Sequence, residues 1–155
     1  MQSIPILSIE ATDQLLAALE DYLDKSEASF TMVIDRGGAV LSQQGDIPAD
    51  ADIMILAALP AGSFAATKEL AHRVGEPEFT ALHQQGQHWQ IFMCAVDEDT
   101  ILTTIFGVQS TLGLVRFYST AAVRNVAGVL NAARADQMAI PIFTEQDLNS
   151  AQSVF

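Results

Sequence analysis

The chain has 155 residues, with seven basic and nineteen acidic side chains and a formal net charge of −12. This length fits one ordinary domain, and the negative charge disfavours nucleic acid and anionic membranes as partners. Half of the residues are hydrophobic, yet no run approaches the roughly 18 apolar residues of a membrane span. Residues 1–10 also lack the pattern of a secretory signal. We therefore predict a soluble, cytoplasmic protein.

The first third of the chain predicts a helix followed by a β-hairpin. Thr12 is suited to cap a helix whose apolar positions recur at helical spacing, namely Leu15, Leu19, Tyr22 and Leu23. Residues 30–34 are rich in β-branched and aromatic side chains, residues 35–38 are typical of a turn, and residues 39–42 return as a second strand.

Residues 50–74 predict a second helix that contains a proline. One apolar stripe is formed by Ile53, Leu56, Leu70 and Val74, and Gly75 follows at the usual position for a helix stop. Pro60 lies in the middle, where a proline removes a backbone hydrogen bond and kinks or splits a helix. The sequence therefore leaves open one bent helix or two short ones.

The remainder predicts a meander and a last helix. Residues 79–83, 89–96 and 101–106 are typical of strands, and a third helix begins between Ser110 and Ser119, with one apolar side formed by Val115, Tyr118, Ala122, Val126 and Val129. Residues 30–34 and 101–106 are nearly continuous in large apolar residues, which is typical of strands covered on both faces. We predict an α/β (α+β) three-layer sandwich with a five-stranded, mainly antiparallel sheet between helices, in the order α-β-β-α-β-β-β-α.

Residues that could carry chemistry are few and match no standard site. Cys94 is the single cysteine, which excludes an internal disulfide and fits a reducing compartment. The spacing of His72, His83 and His88 matches no zinc arrangement, and neither a P-loop nor a dinucleotide fingerprint is present. We predict that the chain is not an enzyme and uses no metal or cofactor.

Several ordered blocks of sequence carry a family resemblance. They are Leu59-Pro60-Ala61-Gly62-Ser63-Phe64-Ala65-Ala66-Thr67, Leu70-Ala71, Gly75-Glu76, His83-Gln84-Gln85-Gly86 and Ser110-Thr111-Leu112-Gly113-Leu114-Val115-Arg116. Together they resemble MglB-type proteins of the roadblock (dynein light chain) family. The resemblance implies a roadblock domain over residues 12–134 with a roadblock/profilin-like fold. It also implies a homodimer whose sheets join edge to edge, and which binds a Ras-like small GTPase of the MglA type and stimulates its GTP hydrolysis in cell polarity or motility.

The resemblance places the partner-binding surface on the second helix. The predicted contacts there are Ala58, Ala61, Gly62, Ala65, Ala66, Lys68 and Glu69. Small side chains permit close approach of another backbone, although a helix packed tightly on its own sheet would show the same pattern. Lys68 and Glu69 are bulkier and more charged than the residues expected from the resemblance. A changed partner, or a dimer without GTPase binding, therefore stays open.

Residues 135–155 are predicted to form a C-terminal tail. Thr144 and Asp147 have the spacing of a capping box, and Leu148, Ala151 and Phe155 would share one face of a short helix over 144–155. This helix would dock on the GTPase or on its own domain; the alternative is disorder. Two other functions remain open for the whole chain: a roadblock scaffold dimer without GTPase-activating function, and a small-molecule sensor with a deep pocket.

Overall fold

The computed structural model describes residues 5–48 and 51–138. Its elements are α1 (Ile9–Ser26), β1 (Phe30–Asp35), β2 (Val40–Gly45), α2 (Ile53–Arg73), β3 (Ala81–Gln85), β4 (Gln90–Ala95), β5 (Thr100–Phe106) and α3 (Leu112–Met138). The strands form one antiparallel sheet in the order β2-β1-β5-β4-β3. The predicted fold class and element order are confirmed.

Two helices cover one face of the sheet and enclose the main core. Leu15 and Leu19 of α1 meet Leu102 of the sheet, and Val126 and Leu130 of α3 complete the cluster. All five side chains are buried. Because full burial of such a side chain contributes roughly 1.5–3 kcal/mol, this layer is the principal source of stability.

A buried hydroxyl contact ties α1 to the centre of the sheet. The Tyr22 hydroxyl lies 2.9 Å from Oγ1 of Thr104. On the neighbouring strand, Thr31 Oγ1 donates to the Thr103 carbonyl at 3.0 Å. Burial raises the pKa of Tyr22 well above its ordinary value of 10, an effect that its hydrogen bond to Thr104 partly offsets.

The start of α1 differs from the sequence prediction because Ser8, rather than Thr12, caps the helix. Ser8 is the N-cap of α1, and its Oγ accepts a hydrogen bond from the Ala11 amide at 3.1 Å. Thr12 instead lies in the first turns of the helix and donates its hydroxyl to the Ser8 carbonyl at 3.0 Å. At the start of α2 the Asp52 carboxylate accepts from the Met54 amide at 2.9 Å.

The second helix is continuous, so the alternative of two short helices is not adopted. α2 runs through Pro60, which is buried on the sheet side. The helix ends as predicted: Gly75 has a φ of +83°, and the Glu76 amide donates to the Ala71 carbonyl at 2.9 Å. A single helix therefore spans the second face of the sheet.

Candidate functional site: the outer face of α2

The inner side of α2 contributes a small second core. Ala57, Ala61 and Phe64 are buried against Met32 and Ile105 of the sheet. Arg36 lies with its guanidinium carbon 5.4 Å from the centre of the Phe64 ring, which adds a cation–π contact at this side of the helix. The helix is thus anchored mainly by two alanines and one aromatic ring.

The outer side of α2 is apolar although it faces solvent. Ile55, Leu59 and Leu70 are all more than half exposed. They are four and eleven residues apart, close to whole numbers of helical turns, so they lie along one line of the helix. Met54 and Val74 are also exposed. A row of large exposed apolar side chains on one helix is typical of a protein interface.

The predicted small residues fall mostly on this exposed side. Ala58, Gly62, Ala65 and Ala66 are exposed, and the last three lie between Leu59 and Leu70 along the helix. A Cβ atom added at Gly62 would meet nothing within 4 Å. Another backbone could therefore approach the middle of the helix closely while the larger apolar side chains pack on either side of it.

Ala61 is placed differently from the other predicted contacts. It is 4% exposed and packs in the core between α2 and the sheet. Its position follows from helical geometry, because it lies about one turn from Ala57 on one side and from Phe64 on the other, and both of these residues face the sheet. The structure thus corrects the assignment of Ala61 to the partner surface.

The two charged residues of the predicted surface are exposed. Glu69 pairs with Arg73 at 3.0 Å, and both side chains are largely in solvent, so the pair adds little to stability. Lys68 has no ion pair among the described residues. The last turns of α2 therefore carry exposed charges beside the exposed apolar side chains of Leu70 and Val74.

The apolar face continues into a cleft beside the helix. A space of about 290 Å³ lies between α2 and the sheet, and its lining includes Leu59 and Ser63 of α2, Gln84 of β3, Ile91 of β4 and Thr103 of β5. Thr103 Oγ1 is buried with no hydrogen-bond partner among the described residues. Because β3 is an edge strand, the outer face, the cleft and the sheet edge form one continuous region.

Cys94 and His83 lie away from the outer face of α2 and have structural surroundings. Burial raises the pKa of Cys94 to about 12, so the residue is a neutral thiol near pH 7 rather than an activated nucleophile. His83 Nε2 is 2.8 Å from Gln90 Oε1 on the neighbouring strand. Residues 5–48 and 51–138 contain no group of three or more histidine, cysteine or acidic residues that could hold a metal ion.

Sequence reasoning missed the large apolar members of the surface. It assigned Leu70 and Val74 to the same stripe as Ile53 and Leu56, but the first two are exposed and the last two are half-buried. The available signal was that α2 is apolar around most of its circumference. Within the described part of the chain it is the one helix long and apolar enough to cross a membrane by length and composition alone. Its Pro60 side packs on the sheet, as in a soluble-type fold.

The first residues of the predicted tail, 135–138, belong to α3. Leu148, Ala151 and Phe155 lie outside the described residues, as does the expected helix over 144–155.

Comparisons with known proteins agree with the fold. A model of the Roadblock/LC7 domain family matches residues 15–106. The chain is similar to the solved gliding protein MglB of Thermus thermophilus, with 26% identity over 85% of this chain and 99% of that one and a TM-score of 0.77. It is also similar to MglB in a tetrameric arrangement, with 26% identity, coverage of 86% and 99%, and a TM-score of 0.80. Myxococcus xanthus MglB gives 26% identity, coverage of 83% and 96%, and a TM-score of 0.75. No curated protein sequence gave a significant match. Since the family match covers more than half of the chain, this protein belongs to the Roadblock/LC7 family.

Proposed function

We propose that this chain is a cytoplasmic homodimeric regulator that binds a Ras-like small GTPase of the MglA type and stimulates its GTP hydrolysis in cell polarity or motility. The observation that carries the proposal is the solvent-facing apolar row on α2, formed by Ile55, Leu59 and Leu70. This row adds little to the protomer's own core, so a second protein is the natural cover for it.

The proposed dimer joins the protomers along β3. An edge strand carries unpaired backbone groups that can pair with a second copy, and the cleft beside Leu59 and Gln84 opens next to that edge. Pairing two β3 strands would bring the two α2 helices side by side on one face of a longer sheet. Apolar side chains from each α2 would then fill the space beside the other.

The GTPase would rest on the small residues of the paired helices. Ala58, Gly62, Ala65 and Ala66 leave room for a partner's backbone, and the chain's net charge of −12 favours a partner with a basic patch. The regulator would supply no reacting group. The family resemblance implies that it acts by repositioning residues of the GTPase itself.

The test is single-turnover GTP hydrolysis by an MglA-type GTPase encoded beside this protein. We expect the wild-type chain to accelerate hydrolysis and Ala65→Arg to weaken GTPase binding at least about tenfold, because a long charged side chain blocks the helix surface. Gln43→Arg is the matched control, since Gln43 is exposed on the opposite sheet edge. Absence of acceleration by the wild-type chain, or equal effects of the two arginine substitutions, would contradict the proposal.

A scaffold dimer without GTPase-activating function is the second candidate. It is favoured by the exposed charges of Lys68 and Glu69 at positions where the resemblance leads us to expect small residues. This alternative predicts a stable dimer that retains its protein partners in pull-down experiments, with no small GTPase among them. Detection of a GTPase whose retention requires Ala65 would reject it.

A further inference from the structure

The face of the sheet opposite α2 carries a segregated charge pattern. α3 contains Arg116, Arg124 and Arg134 but no acidic residue before Asp136, in a chain with nineteen acidic side chains. Arg134 pairs with Asp97 at 3.1 Å. Arg124 is exposed and has no ion pair among the described residues. It therefore presents an uncompensated positive charge on the outside of α3.

The outside of α1 carries the opposite charge. Its buried positions, such as Leu15 and Leu19, place Asp13, Ala17 and Glu20 on the far side of the helix, and all three are exposed. Neither Asp13 nor Glu20 takes part in an ion pair among the described residues. Ala17 leaves a gap between the two carboxylates, which are about one turn away on either side of it.

α1 and α3 are neighbours that run in opposite directions. The Ser110 hydroxyl donates to the Ser26 carbonyl at one end of the pair, and the Ile6 amide donates to Gln137 Oε1 at the other. A small cleft between the helices is lined by Ala18 of α1 and by Ala122 and Asn125 of α3. Arg124 on α3 is therefore approximately level with Ala17 on α1.

This layout is self-complementary under a twofold rotation about an axis parallel to the helices. Such a rotation lays α1 of one copy over α3 of the other and preserves the level of each residue along the axis. Arg124 of each copy then faces Ala17 of the second copy, between Asp13 and Glu20. The same rotation therefore gives each Arg124 two carboxylates on the other copy, and such equivalent contacts on both copies are what an isologous interface requires.

We propose that the α1/α3 face is a self-association surface on which a second copy of this chain docks through Arg124 and the Asp13–Ala17–Glu20 row. The surface lies on the opposite side of the sheet from α2, so it does not depend on the proposed GTPase regulation. It would join α2-linked dimers into larger assemblies.

Sedimentation velocity of the full chain at low ionic strength tests this surface. We expect wild-type species larger than a dimer, and Arg124→Glu should weaken their formation at least about tenfold because it places a third acidic group between two others. Gln43→Glu/Gln44→Glu is the matched control, since it changes the net charge by the same amount on β2 and should leave association unchanged. Mixing Arg124→Glu with Asp13→Lys/Glu20→Lys should restore association, because one of the two contacts then regains opposite charges and the other is native.

The result can be separated from failure of the α2 dimer. In a Leu59→Asp/Leu70→Asp background, which removes the proposed α2 contact, the α1/α3 pair should persist as a dimer and Arg124→Glu should convert it to monomers. A Leu59→Asp/Leu70→Asp variant that is monomeric, an unchanged distribution in Arg124→Glu, or no recovery on mixing would overturn the proposal. Thermal unfolding of each variant checks that the substitutions leave the fold intact.

Discussion

Leu59→Ala offers a direct measure of how much the outer face of α2 contributes to self-association. Leu59 is 63% exposed in the protomer, so most of its side chain remains available for burial by a partner. Full burial of leucine contributes roughly 1.5–3 kcal/mol. The exposed share corresponds to roughly 1–2 kcal/mol for each copy, or about 2–4 kcal/mol for a symmetric dimer, which is a rise of roughly 30- to 1,000-fold in the dissociation constant.

Sedimentation equilibrium over a concentration series would give the dimer dissociation constants of the wild-type chain and the variant. Val108→Ala is the matched control, because Val108 is an aliphatic residue that is 90% exposed in the loop before α3. It should leave the dissociation constant unchanged. If Leu59→Ala also leaves it unchanged, or if the two variants weaken association equally, the dimer does not use the outer face of α2.

Three further predictions concern the core, alkaline pH and the tail. Tyr22→Phe should reduce the free energy of unfolding by about 1–2 kcal/mol, because Thr104 Oγ1 loses a buried partner. Urea titrations measure this loss, and adding Thr104→Val should recover part of it. Equal losses in the single and double variants would contradict this prediction. Burial raises the pKa values of Cys94 and Tyr22 in the folded protein, so the unfolded chain loses these two protons at a lower pH than the folded chain does. We therefore expect the urea midpoint to fall as pH rises from about 9 to 12. A constant midpoint would refute the assignment. Deletion from Ile142 onward should alter affinity for the GTPase without unfolding the domain, whereas a large decrease in Tm would show that the tail completes the core.

The sheet was predictable because its central strands are nearly uniform in side-chain type. β1 and β5 are buried on both faces and consist largely of apolar and threonine residues, so their position follows from the sequence alone. β2 was predicted over residues 39–42 but extends over Val40–Gly45. Its Gln43 and Gln44 have weak strand preference, and backbone pairing with β1 determines the end of this edge strand.

The orientation of α2 was not predictable for a different reason. When a helix has one apolar side, its sequence pattern identifies the buried face. α2, however, has apolar residues on both its sheet side and its solvent side. Ala61 and Ala65 are one turn apart and chemically identical, yet the first is buried and the second exposed. Only the packing of Phe64 on the sheet fixes which alanine faces inward. The same ambiguity affected the prediction of a partner surface, because the buried side and a docking side of a helix are rich in the same residue types.

The proposed function would therefore divide folding and partner binding between the two sides of one helix. Ala57, Ala61 and Phe64 hold α2 on the sheet, whereas Leu59 and Ala65 face solvent and contribute little to that attachment. The principal core lies elsewhere, between the sheet and α1/α3. Outer-face residues can consequently change to suit a partner while the protomer keeps its stability. This separation explains how an apolar row can persist on the surface of a chain whose other helices expose charged residues.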